Sequence, residues 1–112
     1  MADFQRVCVV EDVPQNTRKK FEITNKTILL VHIGDNYYAM DGICSHRGGD
    51  LSKGKLKNKV IRCPRHGTEF DVTTGKVVKN VNSIIKALTR AEAKDLSTYP
   101  TKVEAGAVWV QV

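Results

Sequence analysis

Cys44-Ser-His-Arg-Gly-Gly49 and, further on, Cys63-Pro-Arg-His-Gly-Thr-Glu-Phe-Asp71 are the runs on which the reading of this chain turns. Each pairs a cysteine with a nearby histidine, as Cys44-x-His46 and Cys63-x-x-His66, and each has glycine beside it. A single cysteine or histidine is most often a core or surface residue; two spaced pairs on separate loops can grip one metal centre. Thiolate suits soft metals and iron–sulfur clusters, and imidazole suits iron or zinc. Two centres fit this donor set. A 2Fe–2S cluster can take two cysteines on one iron and two histidines on the other. A tetrahedral zinc can take two of each, but zinc fingers group cysteine with cysteine and histidine with histidine, whereas here the types alternate. Both readings stand on the residues alone.

Around the two runs, residues 41 to 75 are punctuated by Gly42, Gly48, Gly49, Gly54, Gly67 and Gly75, with Lys59-Val-Ile-Arg62 the only strand-like stretch. A segment short of apolar residues and rich in ligand types suits organisation around a metal. Upstream, Phe4 to Val10, Arg18 to Thr24, Thr27 to Ile33 and Asn36 to Met40 read as strands. They are rich in β-branched and aromatic residues and are separated by turn signals at Asn25-Lys26 and Gly34-Asp35. The expectation is an antiparallel meander. Downstream, Val77 and Val78 can rejoin the strands, and Asn82 to Leu96 reads as the one helix, with Asn82 or Ser83 as its cap. Thr101 to Glu104, a turn at Ala105-Gly106, and Val108 to Val112 read as a closing hairpin.

The bulk properties narrow the function. With 112 residues, 41% hydrophobic and 27% charged, the chain has the composition of one soluble globular domain. No apolar run approaches the roughly 20 residues of a membrane span, and the start, Met-Ala-Asp-Phe-Gln-Arg, has no secretory pattern. The expected address is cytoplasmic. A net charge of +6 raises nucleic acid as a partner, but no aromatic-rich basic face accompanies it, and Trp109 sits in an apolar strand. An acidic protein partner is the better use of the charge. Cys8, in Val7-Cys8-Val9-Val10, reads as a buried thiol, and His32 as a strand residue with its own partner.

The strings Cys44-Ser-His-Arg-Gly-Gly49 and Cys63-Pro-Arg-His-Gly-Thr-Glu-Phe-Asp71, with Asp71-Val-Thr-Thr-Gly75, Tyr38-Ala-Met-Asp-Gly-Ile43 and Leu96-Ser-Thr-Tyr-Pro100, resemble the Rieske family. The resemblance implies an all-β fold: an antiparallel β-sandwich base (1–42 and 76–112), a small cluster-binding lobe (about 43–75) and, here, one inserted helix near 83–95. It implies one Rieske-type 2Fe–2S cluster per chain, with Cys44 and Cys63 on one iron and His46 and His66 on the other. Two ferric ions, two sulfides and two thiolates sum to zero, so an added electron is accepted more readily than by a four-thiolate cluster. Potentials of about −150 to +300 mV replace the roughly −400 mV of plant-type ferredoxins.

High-potential relatives carry two further cysteines where this chain has Gly49 and Arg65, and serine and tyrosine hydroxyls where it has Thr68 and Phe70. The resemblance is therefore to the soluble, low-potential ferredoxin components of ring-hydroxylating oxygenase systems. The implied role is a monomeric one-electron carrier between a reductase and an oxygenase or other acceptor, with no catalysis of its own. A small subunit of a larger enzyme such as a nitrite reductase is the alternative, and a structural zinc module the third. Arg47, Lys53, Lys55, Lys57, Lys59, Arg62 and Arg65 make the segment around the ligands basic. An acidic docking face on the partner would match it.

Overall fold

The structure, a computed structural model, describes residues 4–23, 25–43, 50–64, 67–79 and 95–112. Eleven strands are described: β1 (Phe4–Val9), β2 (Thr17–Ile23), β3 (Lys26–Ile33), β4 (Asn36–Asp41), β5 (Lys55–Lys57), β6 (Val60–Arg62), β7 (Glu69–Asp71), β8 (Val77–Lys79), β9 (Thr98–Tyr99), β10 (Thr101–Glu104) and β11 (Ala107–Gln111). Two single turns of 3-10 helix, Val10–Asp12 and Leu51–Lys53, complete the described elements. The strands form three antiparallel sheets, ordered β1-β11-β10, β2-β3-β4-β9 and β5-β6-β7-β8.

Strand β3 organises the base. Ile28, Leu29, Leu30 and Val31 are all fully buried. Because side chains alternate along a strand, Ile28 and Leu30 face one way and Leu29 and Val31 the other. Ile28 and Leu30 join Cys8, Val13, Ile23, Tyr37, Ala39, Val108 and Val110, so the first two sheets pack face to face as a sandwich. Leu29 and Val31 join Met40, Leu51, Ile61, Cys63, Phe70, Val72 and Leu96, which binds the third sheet to the opposite side of the second. Each buried aliphatic is worth about 1.5–3 kcal/mol, against about 0–1 for an exposed ion pair. The third sheet is thus held mainly by apolar contact. The expected turns are present: Asn25 has φ 64°, and the β10–β11 hairpin turns through Ala105 and Gly106 at φ 52° and 74°.

Two expectations change. Among the described residues between β4 and Gly75 there is not one strand but three, β5, β6 and β7, which form a sheet with β8 beyond. Lys55-Leu56-Lys57 and Glu69-Phe70-Asp71 each place one apolar residue between two charged ones, too short a run for alternation to be read from sequence. The segment, which its composition reads as short of apolar residues, also has a buried apolar core in Leu51, Ile61, Phe70 and Val72. The inserted helix near 83–95 lies outside the described residues except for its end. There Asp95 and Leu96 are not helical: the Leu96 N–H donates to Gly75 O at 2.7 Å and its side chain enters the lobe core. Among the described residues no helix is long and apolar enough to cross a membrane.

Candidate metal centre

Of the four candidate ligands, Cys63 is described; Cys44, His46 and His66 lie outside the described residues. The strands fix the bases of both ligand loops. The first leaves the end of β4, where Gly42 N–H donates to Thr27 O at 2.9 Å and Leu51 N–H donates to Gly42 O at 3.0 Å. Ile43 and Asp50, which flank that loop, form an isolated antiparallel bridge and so stand side by side.

Asp50 does most to hold that bridge in place. Its carboxylate accepts from the Ser52 backbone N–H at 3.0 Å and the Ser52 hydroxyl at 2.6 Å, capping the 3-10 turn Leu51–Lys53. It also accepts from Lys20 Nζ of β2 at 2.8 Å. Partial burial would raise the Asp50 carboxyl, but the hydrogen bonds from Lys20 and Ser52 outweigh it and bring it down to about 2. Arg18, two residues earlier on the same face of β2, donates to Gly54 O. The edge strand of the base therefore reaches over to secure the segment that closes the first loop.

The second loop is the tip of the β6–β7 hairpin. Cys63 N–H donates to Thr68 O at 2.7 Å and Cys63 O accepts from Gly67 N–H at 3.1 Å. Gly67 has φ +78°, a conformation L side chains rarely adopt, and a Cβ there would meet Arg62 Nη2 at 2.9 Å. The two loop bases touch: a Cβ on Gly54 would overlap the carbonyl oxygen of Arg62, the residue before Cys63. Only glycine lets these backbones approach so closely.

Two observations make the Cys63 side of this arrangement fit a bound group. The Cys63 side chain is 2% exposed and packs with Leu51, Phe70 and Val72. Next to it in the hairpin, the Thr68 hydroxyl is fully buried and has no hydrogen-bond partner among the described residues. A buried donor without an acceptor costs about 1–3 kcal/mol, and sulfur atoms of a cluster would supply acceptors. Cys8 is kept apart from this: it belongs to the sandwich core rather than the lobe core, and burial pushes its thiol up, away from the thiolate a metal requires. Since the chain has three cysteines, the lobe has two at most to offer, Cys44 and Cys63. Among the described residues no three His, Cys, Asp or Glu side chains gather to hold a metal. His32 is satisfied where it stands, its Nδ1 2.9 Å from Val13 O and its ring stacked on Tyr37 at 4.1 Å.

Sequence reasoning missed the residues that hold the loops: Lys20, Arg18 and Asp50, and also Asp41 with Tyr99. Asp41, at the end of β4, accepts from Tyr99 OH at 2.6 Å and from Ser97 N–H at 3.1 Å. Burial, then the Asp41 carboxylate, pushes the Tyr99 phenol up to about 12. The one local signal was Asp50-Leu51-Ser52, an aspartate placed to bond the backbone two residues on; Asp71 and Thr73 repeat it.

The chain is 34% identical over 95 residues to the ferredoxin component of the naphthalene 1,2-dioxygenase/salicylate 5-hydroxylase systems of Ralstonia sp, covering 85% of this chain and 82% of that protein. It is 34% identical over 107 residues to the 3-phenylpropionate/cinnamic acid dioxygenase ferredoxin subunit of Photorhabdus laumondii subsp. laumondii, covering 95% and 91%. A chain in the solved complex of reduced oxygenase and oxidized ferredoxin in carbazole 1,9a-dioxygenase superposes with a TM-score of 0.80 at 27% identity, covering 96% of this chain and 92% of that one. The profile of the Rieske [2Fe-2S] domain matches residues 3–100. The chain belongs to the Rieske 2Fe–2S domain family.

Proposed function

We propose that this chain is a one-electron carrier that takes electrons from a reductase and delivers them to an oxygenase or similar acceptor, and catalyses nothing itself. The relatives named above as ferredoxin components of dioxygenase systems support the reading. The observation that carries it is the buried Cys63 with, beside it in the β6–β7 hairpin, a Thr68 hydroxyl that has no partner among the described residues.

In this reading Cys44 and Cys63 hold one iron and His46 and His66 the other. A cluster so held supplies a one-electron couple between about −150 and +300 mV. The chain's own residues set where in that range it falls. Thr68 has a hydroxyl to donate, whereas Phe70, fully buried in the lobe core, has none. Fewer donors stabilise the added electron less, so the midpoint belongs at the low end. Leu51, Phe70 and Val72 keep water from the Cys63 side, and the Asp50 cap and the bridge from Ile43 hold the first loop's ends.

The 112 residues act as one domain and as a monomer, with a lobe of about 43–75 on a base of 1–42 and 76–112; the lobe's sheet also takes in β8. Cys8 and Cys63 form no disulfide, which suits a cytoplasmic address. The test is a redox titration of anaerobically purified protein. A reversible one-electron midpoint below zero against the hydrogen electrode supports the reading, and one well above zero, or a colourless protein holding zinc, overturns it.

A further inference from the structure

The lobe sheet has two unlike faces. Leu56, Ile61, Phe70 and Val77 lie across from one another on its inner face. On the outer face Lys55 stands opposite Arg62, and Lys57 opposite Val60. Lys53, Lys55, Lys57 and Arg62 are exposed and make no ion pair among the described residues. Like charges directly opposite one another cost stability. Lysines on β5 alone would be explained as protection of an edge strand against stray pairing, since β5 is an edge. That explanation does not reach Arg62, which sits on the interior strand β6 between Lys55 on one side and Glu69 on the other. Arg62 is also the residue before Cys63, and its guanidinium lies against Gly67 of the second ligand loop. The positive strip therefore runs to the base of the metal centre.

We propose that the outer face of β5 and β6, carrying Lys55, Lys57 and Arg62, docks an acidic face of the protein that exchanges electrons with this chain, with Lys53 of the preceding 3-10 turn adding to the charge beside it. The proposal rests on the carrier reading and names the surface on which the partner is met. Glu69 stands opposite Arg62, and Asp71 opposite Val60, so β7 bounds the strip with carboxylates. Such an edge repels a continuous phosphate backbone, and the outward residues Lys55, Lys57, Val60, Arg62, Glu69 and Asp71 include no aromatic ring to stack a base. Attraction on two strands beside repulsion on the third orients a protein partner in one way.

The test is stopped-flow oxidation of the reduced holoprotein by hexacyanoferrate(III), an anionic probe, at rising ionic strength, with poly-L-glutamate as competitor. The variant Lys55→Glu/Lys57→Glu is compared with Arg6→Glu/Lys19→Glu, an equal charge change on exposed residues of the base. At low salt the lobe variant should react about tenfold more slowly than wild type, lose its salt dependence and ignore poly-L-glutamate. The base variant should stay within about twofold of wild type and still be inhibited. Equal slowing of both variants, with all three proteins cycling reversibly, would overturn the docking surface and leave the carrier reading standing. A DNA duplex that competes as well as poly-L-glutamate would also overturn it. A wild-type protein that takes up no electron would overturn both.

Discussion

Cys63 and Thr68 face each other across the mouth of the β6–β7 hairpin, joined by a 2.7 Å hydrogen bond from the Cys63 N–H to the Thr68 carbonyl. The Thr68 hydroxyl, fully buried, is left without a partner among the described residues. If it donates to the bound group, Thr68→Val removes a donor that favours the reduced state. One hydrogen bond of about 1 kcal/mol corresponds to about 40 mV for one electron, so the midpoint should fall by roughly that amount, with urea stability unchanged or slightly raised. An unchanged midpoint in a redox titration would show that the hydroxyl does not serve the cluster.

The Lys20–Asp50 pair supports a prediction about the first loop. The folded Asp50 carboxyl is depressed to about 2 from an ordinary 3.8, so the folded chain binds that proton less readily than the unfolded one. The stabilisation is present above about pH 4 and is lost as pH falls through the folded value. Lys20 is exposed, and solvent screening leaves its ion pair the smaller share, with the Ser52 hydrogen bonds the larger. Asp50→Asn, which weakens the acceptor for Ser52, should lower urea stability by about 1 kcal/mol at pH 7, with the difference shrinking below about pH 4, and should speed cluster loss. Urea titrations read by Trp109 fluorescence and the decay of visible absorbance check both. Equal stabilities at pH 7 would sink the clamp.

Tyr99 is poised in the opposite sense. Its phenol is raised to about 12, first by burial and then by the Asp41 carboxylate it donates to at 2.6 Å. The folded chain holds this proton more tightly than the unfolded one, whose phenol titrates near 10. Stability from this group is full below about pH 10 and is lost as pH rises towards 12. Tyr99→Phe should cost about 1–2 kcal/mol at pH 7 and flatten the alkaline limb of a thermal-melting profile, while the 295 nm titration of wild type shows a late phenol near 12 that the variant lacks. A wild-type melting temperature that does not fall between pH 10 and 12 would contradict this.

What was legible in the sequence followed from spacing and local pattern. Strand β3 was plain in the run Ile28 to Val31, whose two buried faces leave no polar residue to interrupt it. The hairpin turns were plain at Asn25 and Gly106. The alternating cysteine and histidine pairs stood out because no local structural need produces them. The three-residue strands β5 and β7 were not legible, since one inward residue between two charged ones, Leu56 or Phe70, makes no periodicity. Nor were the clamps. Lys20 and Asp50 lie 30 residues apart, and Asp41 and Tyr99 lie 58 apart, so neither pair exists until the sheets have formed.

The central claim is a 2Fe–2S cluster held by Cys44, His46, Cys63 and His66, and pulsed electron paramagnetic resonance of the dithionite-reduced protein tests it most directly. Wild type should show imidazole nitrogen couplings from two histidines on one iron. His46→Cys and His66→Cys should each remove one of them, while His32→Gln leaves the spectrum as it was. A reduced protein with no nitrogen coupling, or couplings that survive loss of His46 and His66, would contradict the account.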